Sequence, residues 1–135
     1  MKEQIKNALS TAGYELIDCG ARVLTPGDDY PDFASLVARP VGENQQSRGI
    51  LICGSGVGMC VVANKFKGVR AVLGFSSDQV NAARTDDDVN ILCIASDFTK
   101  EEEALQMIRT FFLTPFSEKS DYQRRLGKIS DIEHA

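Results

Sequence analysis

A chain of 135 residues fits one compact domain, and 43% hydrophobic with 25% charged residues and only four Pro exclude a disordered or fibrous chain. A net charge of −4 supplies no basic field to gather nucleic acid or an anionic membrane surface, and the apolar runs fall far short of the ~20 residues of a membrane span. Four cysteines without C-x-x-C spacing and a single His, His134, exclude ordinary zinc spacings and any Ser-His or Cys-His pair within the chain.

The polar start Met1-Lys2-Glu3-Gln4 has no signal-peptide character, so a cytoplasmic location without disulfides is expected. Lys2 to Ala12 reads as a helix, with Ile5 and Leu9 four apart and Gly13 as its C′ residue. Tyr14 to Cys19 reads as a short strand closed by Gly20, and Thr25-Pro26-Gly27-Asp28-Asp29 as a loop. Pro31 suits the first turn of a helix carrying Phe33, Leu36 and Val37, which Pro40 and Gly42 are expected to stop.

Gly49 to Cys53 is an apolar strand that runs into the turn Gly54-Ser55-Gly56-Val57-Gly58, followed by a short helix from Met59 to Phe66. Val69 to Leu73 is another strand. Ser76 or Ser77 caps a helix through Ala83, broken by Asp86-Asp87-Asp88 before the strand Asn90 to Ala95. Thr99 with Glu102 forms a capping box for a helix carrying Ala104, Leu105, Ile108, Phe111 and Phe112, ended by Pro115; Ser120 with Gln123 opens a final helix. Strands alternating with helices give the α/β class and a parallel sheet, and wholly apolar strands such as Ile50-Leu51-Ile52 suit a sheet covered by helices on both faces. The chain reads as a single domain over 1–135.

Open α/β sheets bind ligands beyond the carboxyl ends of their strands, and Cys53 with its glycine turn falls at such a place. A cysteine there feels the positive end of a helix, which favours thiolate, and can act as base or nucleophile. The competing reading is a small buried residue beside a tight turn. A dinucleotide site is disfavoured, because G-x-G-x-x-G would need Gly or Ala at Met59 and no acidic residue ends the next strand. Cys19, Cys60 and Cys93 read as packing residues.

Three blocks carry a resemblance: Asp29-Tyr30-Pro31-Asp32-Phe33-Ala34, Gly49 through Met59, and Ala63-Asn64-Lys65-Phe66-Lys67-Gly68-Val69-Arg70-Ala71. With Asn90-Ile91-Leu92 and Ile129-Ser130-Asp131-Ile132-Glu133 in the same order, nearly the whole chain resembles the ribose-5-phosphate isomerase B / galactose-6-phosphate isomerase family. The resemblance implies a Rossmann-like fold, a homodimer or homotetramer, and aldose–ketose isomerisation of a sugar phosphate through an enediolate, with no metal or other cofactor. It makes Cys53 the group that moves the proton and Gly54, Ser55, Gly56, Val57 and Gly58 the oxyanion cradle, with Tyr30, Asn64 and Lys65 at the substrate.

The departures are specific. The family opens with a strand ending in an Asp-His-Ala-Gly-like segment that contacts the sugar; this chain starts at the first helix and matches no part of it. The family's H-N-D-x-N segment aligns with Asp86-Asp87-Asp88-Val89-Asn90, so Asp86 replaces the ring-opening histidine and Asp87 stands beside it. Its R-H-x-x-R phosphate motif aligns with Asp121 to Arg125, keeping Arg125 and replacing the other arginine with Asp121. The expectation is an isomerase favouring a substrate that needs no ring opening. The rivals are a silent sugar-binding homologue and a noncatalytic subunit of the same fold.

Overall fold

The computed structural model describes residues 1–23 and 25–135. In chain order the elements are α1 (Lys2–Thr11), α2 (Tyr30–Glu43), β1 (Gly49–Cys53), α3 (Val57–Ala63), β2 (Ala71–Leu73), α4 (Ser77–Asp87), β3 (Ile91–Ala95), α5 (Glu101–Leu113) and α6 (Ser120–Glu133). The strands form one parallel sheet in the order β1-β3-β2. Gly49 pairs with Ile91 and Cys53 with Ala95 on one side of β3, and Ala71 pairs with Ile91 on the other.

Because side chains alternate along a strand, β3 feeds two cores. Leu92 and Ile94 pack with Ile5 and Leu9 of α1, Val80 of α4, and Ala104, Met107, Ile108 and Phe111 of α5. Ile91 and Cys93 pack on the opposite face with Ala34, Ala38 and Val41 of α2 and Met59 and Ala63 of α3. All five residues of β3 are buried, which is why that strand carries no polar residue.

Several boundaries differ from the sequence reading for identifiable reasons. Tyr14 to Cys19 forms no strand: a strand exists only by pairing, and among the described residues β1 is bonded to β3 alone, with no strand beside its other edge. That segment is held through side chains instead. Tyr14 packs on the Phe112 ring at 4.7 Å between centroids, and Asp18 receives Lys6 at 2.8 Å and Lys2 at 3.2 Å. The Lys6 ammonium, and next the Gly20 N–H, hold the Asp18 carboxyl well below its ordinary range.

Helix α2 runs through Pro40 to Glu43. Proline removes the hydrogen bond to the Leu36 carbonyl, and Leu36 and Pro40 lie on the exposed side of the helix, where that carbonyl is open to solvent. Gly42 is required for another reason, since a Cβ there would run into the Lys67 carbonyl oxygen. The cap of α5 lies one residue later than expected, with Glu103 accepting the Lys100 N–H at 3.1 Å. Ser120 is already within α6, behind Lys119 as N-cap; Ser76 caps α4 as expected, through the Gln79 N–H at 3.1 Å.

The acidic run does not break α4 at its start. The helix continues through Asp87, and Asp88 takes a left-handed φ of 45° as its C-cap. Asp88 gathers three guanidinium groups, Arg84 at 2.6 Å, Arg70 at 3.1 Å and Arg48 at 3.9 Å. Burial and then the nearby Arg84 charge lower the Arg48 pKa from its ordinary value. The last helix, α6, has no buried residue; the Glu133 carboxylate near its end accepts the Gly68 N–H at 3.0 Å from each oxygen.

Candidate active site

Cys53 is the last residue of β1 and half-buried. Its carbonyl accepts the Ser96 N–H at 2.9 Å, and the next carbonyl, of Gly54, accepts the Asp97 N–H at 3.0 Å. These two bonds tie the turn to the end of the central strand. Gly56, at φ 72°, caps α3, and a side chain there would strike Leu73 and come within 3.1 Å of the Ala95 nitrogen. Only glycine satisfies both the left-handed backbone and the lack of room.

The turn directs donors outward. The first N–H groups of a helix have no intrahelical acceptor, and in α3 the first backbone N–H to find one is that of Cys60, at 3.3 Å from the Gly56 carbonyl. Ser55 Oγ accepts the Val57 N–H at 3.3 Å. The Tyr30 ring, half-exposed at the start of α2, covers Gly58 so closely that a Cβ there would lie 2.8 Å from it. Cys53, Gly54, Ser55, Gly56, Val57, Gly58 and Tyr30 thus form one constellation at the carboxyl end of the sheet.

Asp86, Asp87 and Arg125 lie toward the other end of the sheet. Asp87 and Asp88 offer carbonyls to Arg70, which precedes β2, so the end of α4 stands beside the beginnings of the strands. A five-residue strand places that end about 13 Å from Cys53. The Asp86 carboxylate stands near the Tyr122 hydroxyl and is the main cause raising the Tyr122 pKa. The exposed Arg125 guanidinium lies 5.7 Å from the Tyr122 ring centroid. Asp121 pairs with Arg124 at 2.6 Å.

Asn64 lies apart from the turn. Its side-chain nitrogen donates to the Ala71 carbonyl at 2.9 Å and the Cys60 carbonyl at 3.1 Å, while its oxygen accepts the Ala71 N–H at 2.9 Å. These bonds clamp α3 to β2. Lys65 follows it, exposed. Asp86, Asp87, Lys65 and Arg125 are not brought to Cys53 within this chain.

Two residues beside Cys53 escaped the sequence reading. Ser96 Oγ donates to the Cys53 carbonyl at 3.3 Å, and an Asp97 carboxylate oxygen lies 2.7 Å from where a Gly54 Cβ would be. The available signal was positional, since both follow the carboxyl end of an apolar strand. Among the described residues no group of three or more His, Cys, Asp or Glu side chains is placed to hold a metal ion, and no helix is long and apolar enough to cross a membrane.

A family model described as Ribose/Galactose Isomerase matches residues 1–129. The probable ribose-5-phosphate isomerase B of Mycoplasma pneumoniae is 41% identical over 133 residues, covering 98% of this chain and 87% of that protein. A putative sugar phosphate isomerase of Bacillus subtilis is 36% identical over 133 residues, with 98% and 89% covered. Among solved structures, ribose-5-phosphate isomerase B of Mycoplasma genitalium with bound ribulose 5-phosphate superposes with a TM-score of 0.94 at 40% identity, over 98% of this chain and 88% of that one. The Clostridium thermocellum enzyme gives 0.92 at 35% identity, with the same shares covered.

Proposed function

This chain belongs to the ribose/galactose isomerase family, which makes it an aldose–ketose isomerase of a sugar phosphate, and we propose from that premise that Cys53 is its general base. One observation carries the assignment: Cys53 stands at the end of β1 immediately before a turn whose backbone N–H groups lack intrahelical acceptors. The thiolate removes the proton from C2 of the open-chain aldose, and the electron pair moves to form the C1–C2 double bond. The carbonyl oxygen on C1 takes the negative charge. N–H groups of the Gly54–Gly58 turn hold that oxyanion, the proton of the 2-hydroxyl passes to the C1 oxygen as the C2 carbonyl forms, and the proton carried by sulfur returns to C1 to leave the ketose.

Tyr30, covering Gly58, closes one side of this cleft. Arg125 binds the phosphate, and Asp86 with Asp87 faces the sugar from a second copy of the chain, in a homodimer or homotetramer built on this one domain. Tyr30, Leu36, Val57 and Val61 on α2 and α3, each between 49% and 56% exposed, supply an apolar surface beside the turn for that association. A stable contact should bury ~1,600 Å² in total. Light scattering at micromolar concentration should therefore give at least the dimer mass; a monomer mass would remove the shared-site arrangement.

The substrate test follows from Asp86. Ring opening needs proton transfer to the ring oxygen, and a carboxylate is a poorer donor than an imidazole near neutral pH. Exchange of the C2 proton, followed by NMR, should be faster on erythrose 4-phosphate than on ribose 5-phosphate or allose 6-phosphate. Faster exchange on the two cyclising sugars would overturn the open-chain preference, and no exchange on any of the three would remove the isomerase assignment.

A further inference from the structure

Strands β1 and β3 are neighbours, yet the helices that follow them cover opposite faces of the sheet: β1 leads into α3, which packs with α2, and β3 leads into α5, which packs with α1 and α4. Where the outgoing chains part, a crevice opens beyond the carboxyl ends of the two strands, and such a switch point is where open α/β sheets receive ligands. Its walls are Cys53 and Gly54 on one side and Ser96 and Asp97 on the other, tied by the Cys53–Ser96 and Gly54–Asp97 backbone bonds. The Asp97 carboxylate takes the place of a side chain at Gly54, with Oδ2 at 2.7 Å and Oδ1 at 3.8 Å from where a Cβ there would be. It is exposed, and among the described residues it takes one side-chain hydrogen bond, from Ser96 Oγ at 3.5 Å, and pairs with no cation. Asp18 and Asp88, by contrast, are each spent on two or more cations.

We propose that Asp97 determines substrate specificity: its carboxylate accepts a hydrogen bond from the hydroxyl on C3 of the open-chain sugar and repels phosphate, so that the sugar enters with its phosphate end away from the crevice. The placement rests on the reading of Cys53 as the base at C2. Gly54 follows Cys53 directly, about 3.8 Å away between Cα atoms, so a carboxylate lying on Gly54 meets a carbon adjacent to C2. That carbon is not C1, because the C1 oxygen becomes an anion on the N–H groups of the turn and a carboxylate beside it would oppose the charge. C3 remains, and its hydroxyl is a donor matched to a carboxylate, which only accepts.

The same charge sets direction. A phosphate dianion brought to Asp97 meets like charge with no cation beside it to compensate, whereas the far end of the sugar is the end assigned above to Arg125 of a second copy. Gly54 is part of the device, since any side chain there would push the carboxylate out of its place. The Asp97 N–H that holds the Gly54 carbonyl belongs to the backbone, so a change of the side chain leaves the turn tied.

The test is a binding cycle on the full chain with two polyols that cannot be isomerised, erythritol 4-phosphate, numbered as the aldose it derives from, and its 3-deoxy analogue. Removal of the C3 hydroxyl should weaken binding to the unsubstituted chain by about 10- to 100-fold, the range for a hydrogen bond to a charged acceptor. Asp97→Ala should weaken erythritol 4-phosphate by a similar factor and leave the 3-deoxy analogue within about twofold, the non-additivity of a direct contact. Asp97→Asn removes the charge at nearly constant size, so inorganic phosphate competing with the polyol should bind severalfold more tightly to it. Equal weakening of both polyols by Asp97→Ala, or no binding of erythritol 4-phosphate to the unsubstituted chain, overturns the hydroxyl contact; unchanged competition by phosphate in Asp97→Asn overturns the steering. Binding alone decides, so an absence of turnover in the unsubstituted chain would remove the Cys53 reading while the cycle still judges Asp97.

Discussion

Cys53→Ala should reduce kcat by about 10²- to 10⁴-fold, the range for a lost general base, while substrate affinity stays within a few-fold. The separation of the two effects comes from the site's construction. In the proposed arrangement the sugar is held by the turn, by Tyr30 and by the charged groups of a second copy, none of which depends on the Cys53 sulfur. The turn keeps its shape through the Cys53 and Gly54 carbonyls bound to Ser96 and Asp97 and through the steric demand at Gly56. Steady-state rates with a direct binding isotherm on the variant check this; equal losses in kcat and affinity would mean that the sulfur shapes the site, and unchanged turnover would remove it from the mechanism.

The largest effect on stability should come from Arg84→Ala, at about 3–5 kcal/mol, the cost of breaking a buried charge pair by removing one partner. Arg84 is only 4% exposed, and two of its three guanidinium nitrogens are engaged. One nitrogen donates to Asp88 and to the Val89 carbonyl, both at 2.6 Å, and Nε donates to the Thr114 carbonyl at 3.1 Å. Its flat face lies 5.9 Å from the Phe111 centroid. Truncation strands two backbone carbonyls and opens space against the largest buried side chain. Relief of the repulsion between Arg84 and Arg48 offsets part of this, so the lower half of the range is expected. Urea unfolding with an unchanged m-value should report it; a loss below about 1 kcal/mol would show that water replaces the guanidinium at low cost.

The parts of the fold legible in the sequence are those whose cause is local or periodic. Ile50-Leu51-Ile52 and the run Ile91 to Ala95 announce a doubly covered sheet, and Gly54-Ser55-Gly56-Val57-Gly58 announces a turn that few other residues could build. Tyr14 to Cys19 has equally good strand composition and forms none, because composition cannot supply a neighbouring edge. Pro40 misleads since its penalty depends on which side of the helix faces solvent. The site divides the same way. Cys53 and its turn are contiguous and can be recognised, whereas Ser96 and Asp97 join them only through the parallel register of β1 with β3. Asn64 looks like a ligand from its motif, but its side chain is taken up by Ala71, 7 residues on. The Asp86 to Asp88 run reads as a helix breaker, yet Asp88 is where three arginines converge, two of them more than ten residues away in sequence.

The outer helix α6 has mechanical independence from the rest. With no buried side chain and a carboxylate latch from Glu133 to the Gly68 N–H, it can undock without exposing either core. Its opening therefore belongs to the low-energy, subglobal motions of the native state rather than to global unfolding. The helix is latched by one carboxylate rather than packed into a core, so it can swing outward while the sheet that holds Cys53 remains still.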